Sequence, residues 1–319
     1  GCIMTGEATV VKNAGSHYML SMLPDWNPFP AVLKGRIRLK SNDSTNPVAV
    51  GDHVLFETGA ETPGEVTLEN PALITEILDR KNFVVRKSTN LSRQSHVIAA
   101  NIDMAFAVVS LYFPEIKLPF LDRMLVTCEV YGVPVTIVMN KVDLYRNEAP
   151  EAVQNFIDIY TGAGYRVVQA SAKTGEGIEE LRGICDGNVC LFSGESGVGK
   201  SSLIKALDPS LDPKIGKISV AHLQGKHTTS LYEMYRLASG GAVIDTPGLR
   251  GFGLVNLEKE EIARYFPEML KAAENCRFTP CTHTHEPGCA VKEAVDNGEI
   301  SPERYSSYLG MIEEDKKFR

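Results

Sequence analysis

The stretch "NVCLFSGESGVGKSSLIKAL", residues 188–207, constrains this 319-residue chain more than any other. An apolar run leads into Gly194-x4-Gly199-Lys200-Ser201 and then into a helix-like segment, which is the strand–loop–helix context of a phosphate-binding loop. Glycines there let successive backbone N–H groups curl around phosphate oxygens, and the helix N-terminus favours their negative charge. Gly194, Glu195, Ser196, Gly197, Val198, Gly199, Lys200, Ser201 and Ser202 are therefore read as holding a nucleoside triphosphate. Lys200 would bridge the β- and γ-phosphates, and the Ser201 hydroxyl would ligate Mg2+. The plain alternative is a Gly-rich turn with a surface lysine, against which both flanks argue. The loop alone leaves the base open.

Other elements of the same chemistry surround it. In "GAVIDTPGL", Asp245 ends an apolar strand 45 residues beyond Lys200. A carboxylate there can hold Mg2+ through water, and the Gly248 N–H can contact the γ-phosphate. Between the two lies "GKHTTS", in which Thr229 is a second candidate Mg2+ ligand; a polar surface loop is the other reading. A reader for the base is found upstream. "VTIVMNKVDL" ends a β-branched run with Asn140-Lys141-x-Asp143, and Ser171-Ala172-Lys173 follows the strand-like "YRVVQA". Asp143 can accept hydrogen bonds from guanine N1 and N2, positions at which adenine offers no donor. The backbone of Ser171, Ala172 and Lys173 would contact the guanine O6. No Asn-Lys-x-Asp occurs after Gly248. The order is base reader, base support, phosphate loop, switch loop, Mg2+ carboxylate: the usual GTPase order cut and rejoined. A closed core tolerates this, because each motif needs its own strand and place in space rather than its rank in the chain.

The remainder divides by rhythm. Residues 1–88 carry short strand-like runs ("EATVVK", "HYMLSML", "AVLKGRIRLK", "DHVLFE", "ALITEIL") with turn-rich connections, which predicts a small β-barrel or sandwich. From about 100, apolar strands alternate with helix-like segments, the pattern of a mostly parallel α/β sheet. After about 256 helix-like segments flank a Cys/His cluster. The net charge of −7 excludes an overall nucleic-acid coat. In "KGRIRLK", however, Lys34, Arg36, Arg38 and Lys40 alternate, so a strand would place them on one face, either as a phosphate-backbone contact or as an ordinary solvated face. No run approaches the roughly 18 apolar residues of a membrane span, and no signal peptide is expected.

Three of the seven cysteines crowd into Cys276-x4-Cys281-x-His283-x5-Cys289. Three thiolates and one imidazole complete a tetrahedral structural zinc site with no open position for metal catalysis. His285 is a competing imidazole. Cys2, Cys128, Cys185 and Cys190 lack a nearby His and are read as core or incidental residues.

Taken together, "VAVGDHV", "NIDMAFAVVS", "LDRML", "NKVD", "SAKTGEG", "SGESGVGKSSL", "GKHTTS", "DTPGLRGF" and "FTPCTHTHEPGCAVKEAVDNGEISPERYSSY" resemble the circularly permuted GTPases of the RsgA (YjeQ/YloQ) family over nearly the whole chain. The resemblance implies a circularly permuted α/β P-loop GTPase domain (89–255), an N-terminal all-β OB-fold RNA-binding domain (1–88) and a C-terminal helical zinc-binding domain (256–319). It implies GTP/GDP, Mg2+ and one structural Zn2+, and the family's Cys-x-His spacing favours His283 over His285. Leu249 stands where Ras-type enzymes carry the water-orienting Gln. His227 is then the nearest candidate for that role, beside Lys200 and Thr229 as the other catalytic groups. The expected partner is the small (30S) ribosomal subunit with its 16S rRNA, late in its maturation. The protein is expected to be a cytoplasmic monomer with no membrane or DNA partner. A GTP-dependent RNA-binding scaffold with negligible hydrolysis is the competing class. A small-molecule P-loop kinase would have no use for "NKVD".

Overall fold

The computed structural model describes residues 3–35, 37, 48–86, 96–211, 232–245 and 257–317. Five strands form the N-terminal unit: β1 (Met4–Asn13), β2 (Tyr18–Ser21), β3 (Phe29–Leu33), β4 (His53–Thr58) and β5 (Ala72–Ile77). They run β1-β2-β3-β5-β4, and β4 closes back onto β1 with Thr58 opposite Met4 and His53 opposite Thr9. Alternation along β4 buries Val54 and Phe56, which join Val10, Leu20, Phe29 and Ile74 in one core. This is a small closed barrel of the OB type. Of the expected basic row, Arg36, Arg38 and Lys40 lie outside the described residues; Lys34 is exposed, with its Nζ 3.0 Å from Glu57 Oε1.

A hairpin of β6 (Phe83–Arg86) and β7 (His96–Ala100) follows, and the expected division between residues 88 and 89 falls between its strands. Its Val84 and Ile98 belong to the core of the central unit. That unit contains β8 (Met104–Val109), α1 (Leu118–Tyr131), β9 (Val135–Met139), α2 (Pro150–Gly162), β10 (Arg166–Gln169), α3 (Ile178–Cys185), β11 (Val189–Gly194), α4 (Lys200–Leu207), β12 (Glu233–Arg236) and β13 (Ala242–Asp245). The sheet order is β10-β9-β8-β11-β13-β12, parallel except for β12. Both faces are covered, as a parallel sheet requires. Leu121, Leu125 and Cys128 of α1 pack with Phe156 and Tyr160 of α2 on one side. Leu181 and Cys185 of α3 pack with Leu203 and Leu207 of α4 on the other. Pro119 opens α1, and Gly132, at φ +70°, closes it in the left-handed conformation that suits a helix stop.

A 3-10 segment (Lys259–Tyr265) and the helices α5 (Pro267–Ala273), α6 (Ala290–Asp296) and α7 (Pro302–Lys317) complete the described chain. Their core gathers Phe266, Met269, Val291, Tyr308 and Ile312, and Val126 of α1 enters it from the central unit. Among the described residues no helix is long and apolar enough to cross a membrane.

Candidate functional site

In an open parallel sheet, loops at the carboxyl ends of the strands form the ligand edge. The described motif residues all arrive there. Asn140 follows β9, Ser171 follows β10, the phosphate loop leaves β11 and Asp245 ends β13. Because β11 lies between β8 and β13, the Asn-Lys-x-Asp and Ser-Ala-Lys loops flank the phosphate loop on one side and the carboxylate flanks it on the other. Rank in the chain has become position in the sheet.

On the β9–β10 side of the phosphate loop lies a cleft of about 580 Å³. Asn140, Lys141, Asp143, Ser171, Ala172 and Lys173 form one wall, and Gly199, Ser202 and Lys205 of the loop and α4 face them. Asn140 is buried; its Nδ2 donates to Val198 O at 2.9 Å, tying β9 to the phosphate loop, and its own carbonyl accepts from Tyr145 Oη at 2.6 Å. Its Oδ1 is buried and has no hydrogen-bond partner among the described residues. Lys141 takes φ +62°, which aims its Nζ at the carbonyls of Phe113 (2.9 Å) and Gly197 (2.5 Å). Asp143 is exposed at the cleft, whereas Ser171 is buried with its Oγ accepting from Thr174 N at 3.1 Å.

The loop itself is shaped by its glycines. A Cβ on Gly194 would lie 2.7 Å from Val108 O, and one on Gly199 would lie 2.6 Å from Asn140 Nδ2 at φ +87°. A side chain at either place would push the loop away from β8 or from Asn140, so both close approaches require glycine. Glu195 is half-buried and Val198 buried, while Ser196 and Gly197 are exposed. Lys200 is buried at the start of α4, its Nζ 3.7 Å from Asp245 Oδ1, and Ser201 stands beside it half-buried. Burial lowers the Lys200 ammonium from its ordinary value, and Asp245 opposes that shift. A cation and a carboxylate held this close fit a site for phosphate oxygens and a divalent metal. His227, Thr229 and Gly248, with Leu249, lie outside the described residues.

The second constellation stands apart. One ligand atom from each of Cys276, Cys281, His283 and Cys289 lies within 4.8 Å of every other. His283 Nδ1 is 3.3 Å from Cys289 Sγ and 3.7 Å from Cys276 Sγ. The donor set and its compactness fit tetrahedral zinc. His285, by contrast, is 83% exposed, and its Nδ1 turns to Thr284 Oγ1 and Glu286 instead. The Tyr305 hydroxyl donates to the His283 carbonyl and Tyr308 to that of Thr282, so α7 holds the ligand loop from behind. Of the other thiols, Cys128, Cys185 and Cys190 are buried and Cys2 lies outside the described residues.

Sequence reasoning overlooked Arg146 and Glu176, which join the Asn-Lys-x-Asp and Ser-Ala-Lys loops, and β12, whose "EMYR" alternates too briefly to register as a strand.

A phosphate-loop motif, the Asn-Lys-x-Asp and Ser-Ala-Lys loops and a carboxylate on one sheet edge, in this chain order, define a circularly permuted P-loop GTPase. The family model described as RsgA GTPase matches residues 77–255. The small ribosomal subunit biogenesis GTPase RsgA of Bacteroides fragilis is 46% identical over 98% of this chain and 99% of its own. Its namesake in Flavobacterium psychrophilum is 46% identical over 98% and 93%. Among solved structures, YjeQ from Thermotoga maritima superposes with a TM-score of 0.79 at 32% identity, covering 98% of each chain. YloQ, described as a circularly permuted GTPase, gives 0.75 at 25% identity over 99% of this chain and 96% of its own. The chain belongs to the RsgA GTPase family, and the reaction it catalyses is GTP hydrolysis.

Proposed function

We propose that this GTPase acts in the biogenesis of the small ribosomal subunit, binding the 30S particle through its 16S rRNA and hydrolysing GTP faster there than alone, late in maturation. The relatives' shared name supports the subunit assignment. The observation that carries the nucleotide reading is the meeting of Asn140, Asp143 and Ser171 with Gly199 and Ser202 around one cleft. The division of labour follows from chemistry. Asp143 accepts from guanine N1 and N2, and the Ser171-Ala172-Lys173 backbone meets O6. The amides from Gly194 to Ser202, with Lys200, hold the phosphates. Ser201, Thr229 and Asp245 would hold Mg2+, which neutralises charge on the β- and γ-phosphates when bound. The Gly248 N–H reads the γ-phosphate. Cys276, Cys281, His283 and Cys289 hold one structural zinc. The protein works as a cytoplasmic monomer, without DNA or membrane. Barrel, GTPase domain and zinc module form three units, with the β6–β7 hairpin counted with the GTPase domain whose core it enters.

Leu249 offers no amide to orient the attacking water, so His227 is assigned that role. Turnover measured with and without 30S particles tests the reading, with cosedimentation in GDP and in a non-hydrolysable GTP analogue beside it. Subunits should stimulate hydrolysis strongly. His227→Ala should remove most of the stimulated rate while leaving GTP affinity nearly unchanged, as for a residue acting mainly in the transition state. Equal turnover with and without 30S would favour the scaffold class, and a fully active His227→Ala would move the water-positioning role elsewhere. For the metal centre, protein prepared without added zinc should carry about one ion per chain, because binding supplies folding free energy. A metal-free protein with an intact C-terminal module would refute it.

A further inference from the structure

We propose that Arg146 and Glu176 are positioning residues for base recognition, clasping the two guanine-reading loops into one wall; this rests on the guanine site assigned above. Arg146 Nη1 and Nη2 donate to Glu176 Oε2 and Oε1 at 2.5 and 2.7 Å, a bidentate pair joining the loop after β9 to the loop after β10. Each partner is anchored to what it would position. The Arg146 N–H bonds to Val142 O at 2.9 Å, so the guanidinium rides on the turn that presents Asp143. The Glu176 carbonyl accepts from Ser171 N at 3.0 Å and its N–H donates to Thr174 Oγ1 at 3.3 Å, so the carboxylate closes the loop holding Ser171 and Ala172. A further contact runs from Arg146 Nη1 to Gln169 Oε1 at 3.2 Å, at the end of β10.

Main-chain bonds join the roots of these loops, Ala170 N–H to Met139 O at 2.8 Å and Val142 N–H to Ala170 O at 3.2 Å, but lie short of Asp143 and Ala172 themselves. Asp143 and the Ala172 backbone would grip opposite parts of one base edge, so a small shift of one loop against the other spoils both contacts at once. The hydrogen bonds from Arg146 hold the Glu176 carboxyl below its ordinary range, and those from Glu176 raise Arg146. Both side chains are partly exposed, so the pair adds little to global stability. Its effect belongs in the geometry of the cleft.

The test uses the full-length chain, with Glu176→Gln, Arg146→Met and the exchange Arg146→Glu/Glu176→Arg. Affinities for GDP and inosine diphosphate, which lacks the N2 amine, are measured beside the melting temperature. The single variants should bind GDP about threefold to tenfold more weakly. They should lose less for inosine diphosphate, so that preference narrows while the melting temperature holds, and the exchange should recover most of the loss. Unchanged GDP affinity overturns the clasp, as does a loss equal for both nucleotides that follows a fall in melting temperature. Asp143→Asn separates the clasp from the site it serves, since it should weaken GDP and improve xanthosine diphosphate. If it does neither, the guanine site itself is misassigned and the clasp falls with it. If it does both while the clasp variants bind like wild type, the clasp alone is wrong.

Discussion

The GTPase domain is joined to its neighbours by two seams built on opposite principles. Towards the barrel the seam is uncharged at its centre, main-chain hydrogen bonds and the Asn101 amide set beside apolar packing of Val11 and Val50 into the central core. Val50 bridges Ala99 in parallel, Ala100 N–H donates to Val50 O at 2.9 Å, and Asn101 Nδ2 donates to Gly51 O at 3.0 Å. β1 reaches the sheet edge by pairing with β12 at Lys12 and Glu233, whose side chains form an outer ion pair at 3.1 Å. Towards the zinc module the seam is buried charge. Arg304 of α7 and Asp122 of α1 are both 0% exposed, with Nη1 to Oδ1 at 3.1 Å. Glu268 of α5 takes the other side of the guanidinium at 2.8 and 2.9 Å. Ser307 and Tyr160 donate to Asp122 at 2.5 and 2.8 Å, and the Arg304 Cζ lies 4.4 Å above the Phe266 ring. A seam of main-chain bonds and apolar packing leaves no buried charge exposed when one side chain is changed, and is most sensitive where an added side chain cannot fit. A buried-charge seam fails when the one cation shared by its carboxylates is removed.

That contrast is tested most severely at Arg304. Arg304→Met keeps the volume but leaves the carboxylates of Asp122 and Glu268 buried without their cation. Such a loss costs about 3–5 kcal/mol. In a chemical-denaturation experiment the zinc module should unfold ahead of the barrel, and a variant as stable as wild type would contradict a seam of buried charge. A smaller effect is expected at the barrel seam. Gly51 has φ +98°, and a Cβ there would lie 2.0 Å from Ala100 O. Gly51→Ala adds left-handed strain to a backbone collision and should cost about 2–3 kcal/mol. Increased proteolysis of the barrel, with nucleotide binding retained, is the measurement; unchanged protection would mean the seam does not depend on that approach.

Both seams explain what the sequence could and could not convey. The phosphate loop, the Asn-Lys-x-Asp turn and the Cys/His spacing are legible because each is local: a few residues on one loop carry the chemistry and its geometry. The barrel strands and the α/β alternation are legible because burial imposes periods of two and of about 3.6. Asp122 and Arg304 lie 182 positions apart, and each reads as a charge on a helix surface until the fold buries both. Likewise, nothing in the polar run after Arg86 signals that β7 returns to pair with β6, and so a division at 88–89 is natural from composition alone. Gly51 belongs to the motif "VAVGDHV", but the carbonyl it must admit is contributed by Ala100.

The smallest expected effect is the most discriminating, because it separates buried charge from buried hydrogen bonding within one seam. The triad holds two carboxylates against one guanidinium, so it carries an excess of negative charge. Burial pulls down on Arg304, but the hydrogen bonds and charge of Glu268 outweigh it and hold the guanidinium firmly protonated. Burial raises the Asp122 carboxyl above its ordinary value, more than Arg304 and its hydroxyl donors lower it. Asp122→Asn keeps an acceptor for Arg304 and Tyr160, and the Ser307 hydroxyl can turn to accept from the new amide. Arg304 keeps Glu268. The substitution should therefore shift stability by less than about 1 kcal/mol near neutral pH, far from the cost of losing Arg304. The sign with pH follows from the raised value. Protonated Asp122 contributes its full stability below the ordinary carboxylate pKa of about 4, and that contribution is lost as pH rises through the raised folded-state value. Relative to wild type, Asp122→Asn should thus look weakest in acid and improve as pH rises through that window. Denaturation midpoints of the two proteins across the pH series provide the check. If Asp122→Asn costs as much as Arg304→Met, or gains on wild type only as pH falls, then the seam depends on the Asp122 charge rather than on its hydrogen bonds.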